Sequence, residues 1–153
     1  MKMKHLKGIA LAAAAVVGLA ACGGSSSSSD TTAAAGGDYS NLKVAVVYIG
    51  VPGDAGYTYQ HDQGIAELEA ELGITVTRLE NIPEGAESAA TFDQLAAEGY
   101  NLIFGTSFGY MDPMLEVSAK YPDVCFSHAT GYKTSTNLGT YFGAAEEARY
   151  LSG

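Results

Sequence analysis

The chain is short of positive charge. Eight Lys and Arg stand against 17 Asp and Glu among 153 residues, a net charge of −9. Three of the eight, Lys2, Lys4 and Lys7, fall in the first seven residues. From Cys22 onward, five basic side chains therefore face the same 17 acidic ones, a net −12. Phosphate binding needs a basic footprint, so this balance argues against nucleic acid as a partner. It argues equally against adhesion to anionic lipid by charge. Acidity names no partner of its own and mainly favours solubility. Two cysteines, Cys22 and Cys125, do not make a disulfide framework. The apolar run near the N-terminus stops short of the roughly 20 residues needed to span a bilayer. No segment repeats, and the loop glycines do not fall into the G-x-G-x-x-G spacing of a dinucleotide site.

What is present starts at the N-terminus. Lys2, Lys4, His5 and Lys7 precede an apolar run from Gly8 to Gly18, then Leu19-Ala20-Ala21-Cys22, Gly23-Gly24 and the serines Ser25 to Ser29. A basic stretch, a short apolar stretch and small residues before a cut are the parts of a secretory signal. With a cysteine at the cut, this segment resembles a bacterial lipoprotein signal. The resemblance implies that residues 1–21 are removed and that the Cys22 sulfur carries lipid. The chain would then hang from the extracytoplasmic face of a cell membrane. Residues 22–40, made largely of Ser, Thr, Ala, Gly and Asp, read as a flexible tether. Cys125 sits in Val124-Cys125-Phe126 and reads as a buried small hydrophobe. It lacks the basic neighbourhood that would make it reactive.

From residue 41 the pattern alternates between strand and helix. Lys43 to Ile49 is a near-continuous apolar run, the mark of a strand buried on both faces. Tyr57 to Gly73 sets Ile65, Leu68 and Leu72 at helical spacing and ends on a glycine. Ile74 to Leu79 predicts a second strand. Glu84 to Glu98 predicts a second helix, with Phe92, Leu95 and Ala96 inward and Gly99 as its stop. Asn101 to Gly105, a helix over Asp112 to Lys120, Asp123 to His128, a strand over Leu138 to Phe142 and a helix from Ala144 complete the series. Such alternation predicts a parallel α/β sheet with right-handed crossovers, helices on both faces and the order 2-1-3-4 at its centre.

In open α/β sheets ligands sit beyond the carboxyl ends of the strands. Three loops there are rich in glycine and aromatics: Gly50 to Thr58, Thr106 to Asp112, and Ala129 to Lys133. Glycine lets backbone approach a ligand closely, and aromatic faces stack on flat rings. Two other constellations compete. His61, Asp62 and His128 suggest metal ligands, but adjacent residues on a helix point about 100° apart and share an ion poorly. Gly105-Thr106-Ser107-Phe108-Gly109 mimics a nucleophile elbow between strand and helix. A serine hydrolase using Ser107 would have His128 as its only later histidine, early for such a fold.

The run Gly53-Asp54-Ala55-Gly56-Tyr57-Thr58-Tyr59-Gln60-His61-Asp62-Gln63-Gly64 resembles the first-loop signature of the basic membrane protein family. These are substrate-binding lipoproteins of ABC importers, purine-nucleoside receptors among them. Asp54, Tyr57 and Gly64 fit the signature, and Thr58 replaces its Asn. Phe104 to Asp112, Tyr121 to Val124, His128 to Lys133 and Ala148 to Gly153 resemble later blocks in order. The resemblance implies a type I periplasmic-binding-protein-like fold of two lobes, of which residues 41–153 cover part of the first. It implies a binding protein rather than an enzyme, with an ABC permease as partner and no cofactor.

The implied ligand is a purine nucleoside or nucleobase, with a sugar as the alternative. Tyr57 and Phe108 offer flat faces to it. Asp54 either caps the following helix or accepts from ribose hydroxyls or ring N–H groups. Thr58, His61, Asp112 and His128 are candidate polar partners, and Tyr110 either stacks or packs on the lobe. The turn Ala144-Ala145-Glu146-Glu147 departs from the family in its acidity.

Overall fold

A computed structural model describes residues 38–143 and Tyr150. The expected leader, Cys22, most of the tether, and all but Tyr150 of the helix expected from Ala144 lie outside these residues. Five strands form one parallel sheet: β1 Val44–Val47, β2 Val76–Leu79, β3 Leu102–Gly105, β4 Cys125–Ala129 and β5 Leu138–Tyr141. Their spatial order is β2-β1-β3-β4-β5, and each neighbouring pair runs parallel. The helices are α1 Tyr57–Leu72, α2 Ala86–Ala97 and α3 Met111–Lys120. Single 3-10 turns at Pro52–Asp54 and Phe108–Tyr110 precede α1 and α3.

Alternation along the strands divides the core in two. Ala45, Val47, Ile103, Phe126 and Leu138 face α2 and α3, where they meet Phe92, Leu95, Met114 and Val117. Val44, Val46, Tyr48 and Val76 face α1 and pack on Ile65. Full burial of a side chain such as Phe92 contributes about 1.5–3 kcal/mol, and the two apolar layers are what hold the sheet flat against its helices. The four residues of β1 are all buried, which matches its near-continuous apolar run and its place between two neighbours.

Helix ends follow local chemistry. α1 stops at Gly73, whose φ of 67° is left-handed and whose N–H reaches the Glu69 carbonyl at 2.9 Å. α2 starts at Ala86 rather than Glu84 because Gly85 has φ 88°. Glu84 thereby becomes a loop residue. The Ser118 and Tyr121 carbonyls at the end of α3, and that of Val124 just before β4, lie within 3.0 Å of Asn137 Nδ2. That one side chain pins the entry to β5 under α3.

Cys125 corrects an expectation. It opens β4 in register with Leu102, on the sheet face that α1 covers, while Phe126 takes the other face. α1 packs over β1 and β2, and the thiol of Cys125, two strands away from β1, is exposed.

Candidate functional site

Chain order reverses between β1 and β3: β2 lies to one side of β1, and β3 to β5 continue on the other. A crevice opens at the carboxyl ends of strands at such a switch point. Thr106 closes the end of β3 onto β1, since its N–H and its hydroxyl both donate to the Val47 carbonyl at 3.1 Å. Backbone cost concentrates on the same edge. Among the described residues the non-glycine positions in the left-handed region are Ala55, Asn81 and Thr130, in the loops after β1, β2 and β4. Such positions cluster where the chain is held for a purpose.

Asp54 organises the first loop. Its carboxylate accepts the N–H groups of Gly56 at 2.8 Å, Thr58 at 3.0 Å and Tyr59 at 3.0 Å. These are the orphan donors that open a helix. The Gly56 bond, followed by that of Tyr59, holds the carboxyl down at about 2. Of the two roles expected for Asp54, the structure shows capping. The cap aims α1 so that Tyr57 and His61 stand on the rim of the sheet.

Those two rings are the start of an aromatic wall. Tyr57 and His61 centroids are 4.5 Å apart, and His61 and Tyr141 are 6.2 Å apart. His61 Nδ1 lies 3.0 Å from the Tyr57 carbonyl. A carbonyl only accepts, so Nδ1 carries a hydrogen in this contact and the other ring nitrogen, Nε2, is not used by it. Tyr57, Gln60, His61, Thr130, Tyr141 and Phe142 line a groove of about 550 Å3. A second cavity of about 350 Å3 shares Gln60, His61 and Tyr141 and reaches down to Val46, Ile65 and Phe104. Both volumes lie in the range that holds a small molecule. Burial pushes the Tyr141 phenol up to about 12, and burial also raises that of Tyr57. Both are neutral hydroxyls at physiological pH.

Phe108 and Tyr132 form a second aromatic pair, 6.4 Å apart, on the loops after β3 and β4. They are 56% and 72% exposed, which leaves their faces free to cover something. Asp112, in the first turn of α3, is tied to Lys133 of the loop after β4 at 2.6 Å in an exposed ion pair.

The remaining expected contacts are drawn inward. Thr58 is buried, with its hydroxyl against Gly50. Tyr110 is fully buried, meets Phe92 edge to face at 5.4 Å and donates its hydroxyl to the Ile82 carbonyl. It packs on the lobe rather than stacking outward. His128 is fully buried beneath the loop after β4, with Nε2 2.7 Å from the Ser107 carbonyl. Burial lowers its pKa, against the Ser107 hydrogen bond.

The same contacts dispose of the competing constellations. Ser107 Oγ donates to Glu84 Oε1 at 2.6 Å, while His128 bonds the backbone oxygen of Ser107. Nucleophile and base do not meet, so the hydrolase arrangement fails. Asp62 turns away from His61 to accept from Arg78 Nε at 2.6 Å and from the Tyr48 hydroxyl at 3.1 Å. Among the described residues, no three His, Cys, Asp or Glu side chains gather as metal ligands.

Residues 41–153 match the family described as ABC transporter substrate-binding protein PnrA-like, Bmp. The chain belongs to the Bmp family. It is 52% identical over 114 residues to a purine-binding protein of Brucella abortus, an alignment covering 73% of this chain and 33% of that protein. It is 40% identical over 112 residues to a Haloferax volcanii protein provisionally named an ABC transporter glucose-binding protein, covering 73% and 29%. The Bmp chain thus spans about a third of the length of these relatives. In fold it is similar to a solute-binding protein of an ABC transporter system from Aeropyrum pernix. That match has TM-score 0.64 and 22% identity, and covers 72% of this chain and 31% of that one. The family is one of substrate-binding proteins, not enzymes.

Of the residues expected to contact ligand, the Bmp fold brings Tyr57 and His61 together in the groove and sets Phe108 and Asp112 on the neighbouring rim. Sequence reading missed Gln60, Thr130, Tyr141 and Phe142 in the groove and Glu84 beneath Phe108. Gly85 held a signal for Glu84, since a glycine inside an expected helix marks a possible start. Nothing local marked Tyr141; its place depends on pairing with β4.

Proposed function

We propose that this chain is the ligand-contacting part of an extracytoplasmic solute receptor that feeds an ABC permease, and that its ligand is a purine nucleoside or nucleobase. The observation that carries the reading is the aromatic wall of Tyr57, His61 and Tyr141 on a groove at the carboxyl edge of the sheet. A flat heterocycle gains from stacking on such faces. The His61 ring, with Nδ1 committed to the Tyr57 carbonyl, presents Nε2 for a hydrogen bond to a ring nitrogen or amino group. The name of the Brucella relative supports the purine class. Capture proceeds by closure of a second lobe over the groove, driven by the ligand's better contacts in the closed state.

A leader over residues 1–21, lipid on Cys22 and a tether over residues 22–40 would hold this receptor on the outer face of a membrane. Among the described residues no helix is long and apolar enough to cross one. Changing Cys22→Ser should abolish fatty-acid labelling in cells. Labelling that persists would refute the anchor.

A sugar is the second reading, favoured by the name of the Haloferax relative and by the way aromatic faces suit pyranose rings. Calorimetry on the full-length protein separates them. Binding of adenosine, guanosine, inosine or a free purine base is the expected result. Tight binding of a hexose with no heat from any purine compound would overturn it.

A further inference from the structure

His128 is the one buried side chain among the described residues with an unpartnered polar atom, Nδ1. Its Nε2 faces the Ser107 carbonyl at 2.7 Å, so Nε2 carries the hydrogen and Nδ1 is left as a bare acceptor. A buried acceptor without a donor carries an uncompensated desolvation cost. The fold tolerates that cost at a place where two loops meet. The loop after β4 lies directly on the imidazole edge: a Cβ added to Gly131 would stand 1.9 Å from Nδ1 and 2.5 Å from Cε1. The preceding residue, Thr130, is β-branched yet left-handed at φ 67°, and its N–H is held by the Tyr141 carbonyl at 2.8 Å. On the other side of the ring, Ser107 is held at both ends. Its carbonyl accepts from His128 and from the Tyr110 N–H at 3.1 Å, and its hydroxyl donates to Glu84. Glu84 also takes the Gly109 N–H at 2.9 Å. Phe108 lies between these fixed points.

We propose that His128 is a positioning residue: it ties the loop after β3 to the loop after β4, and so sets the spacing of Phe108 and Tyr132 at the mouth of the site. Its role in binding rests on the receptor reading above; the coupling of the two loops does not. The imidazole suits the task because it combines a donor at one corner with a flat edge narrow enough to pass under Gly131. The 6.4 Å separation of Phe108 and Tyr132 is then set by the protein's own contacts. Preorganisation of that kind removes part of the ordering cost of binding.

The test needs no ligand, so it stands or falls independently of the ligand class. In the 153-residue chain labelled with 15N-histidine, His128 should show the neutral Nε2–H form at neutral pH. His128→Leu removes the donor. It should raise amide exchange at Gly109, Tyr110 and Thr130 by about tenfold, the worth of one hydrogen bond, and abolish ring contacts between Phe108 and Tyr132. Exchange in β1 and α1 should stay as in the parent. His128→Gln, which keeps an N–H near the position of Nε2, should restore the ring contacts and most of the protection. The proposal is overturned by an Nδ1–H or doubly protonated ring in the parent chain. It is also overturned by unchanged loop exchange in the Leu variant, or by a Gln variant that behaves like Leu. Should the Leu variant fail to fold, the tautomer and the Gln variant still decide it.

Discussion

Glu84 and Ser107, 23 residues apart in sequence, meet at 2.6 Å through carboxylate and hydroxyl. This contact joins the loop after β2 to the loop after β3. The same carboxylate takes the Gly109 N–H, and the Ser107 bond, then that of Gly109, holds the acid below the usual glutamate range. An exposed acidic residue thus acts as a clasp under Phe108, and the geometry of one aromatic face depends on a residue that never reaches the groove.

Removing the clasp should loosen one loop and little else. Glu84→Ala should cost about 1 kcal/mol and raise amide exchange at Gly109. Because the folded acid titrates below its ordinary value, its contribution is present above pH 4.5 and fades as pH falls below that. Denaturant melts of parent and variant should therefore converge on acidification. A constant gap down to strongly acid pH would count against the clasp.

Tyr57 tests the aromatic wall. Tyr57→Ala should weaken purine binding to the full-length protein by about 1–3 kcal/mol, whereas Tyr57→Phe should retain most of the affinity. Equal losses in both variants, read by calorimetry, would show that the hydroxyl rather than the ring face matters.

Arg78 ties β2 to α1 through Asp62 and Glu69, at 2.6 and 2.8 Å, in a partly buried cluster. Arg78→Ala leaves two carboxylates without their cation and should destabilise by about 1–3 kcal/mol. The Arg78 hydrogen bond, then that of Val76, holds Glu69 at about 2 against an ordinary 4.5. A lowered acid stabilises the fold above its unfolded value and loses that effect as pH falls through the folded one. Glu69→Gln should accordingly be less stable than the parent at neutral pH, with the gap closing between pH 4.5 and about 2. Melting curves across that window check the sign.

Gly105 ends β3 against α3. A methyl there would stand 2.4 Å from Met114 Sδ and 3.1 Å from Phe92 Cζ, both fully buried. Gly105→Ala should lower stability by about 1–3 kcal/mol through overpacking, and Met114→Ala in the same chain should recover part of the Gly105→Ala loss. Simple additivity of the two costs would refute the clash.

Cys125 is exposed at the start of β4. In the folded chain it should react with a maleimide at a rate close to that of a free thiol. Protection until denaturant is added, followed by mass spectrometry, would show that its face is covered.

Periodicity by itself determined the order and kind of the elements. The apolar run at Lys43 to Ile49 and the helical spacing of Ile65, Leu68 and Leu72 are local properties, and each matches the observed element within a few residues. Strand–helix alternation then favoured a parallel sheet, because a helix crossing back over the sheet returns the chain to start the next strand in the same direction. The loops at its carboxyl edge followed, and with them Tyr57 and His61. Only tertiary structure decided which side chains of those loops face outward. Cys125 lies in an apolar run yet is exposed, because burial of a strand residue depends on whether a helix covers its side of the sheet. Tyr110 and His128 read like Phe108 in composition, yet they are buried under contacts to Phe92, Ile82 and Ser107 that join separate segments. Glu84 and Tyr141 entered the site the same way: Glu84 through a contact to Ser107, 23 residues along the chain, and Tyr141 through pairing of β5 with Ala129 of β4, neither of which a local pattern of spacing contains.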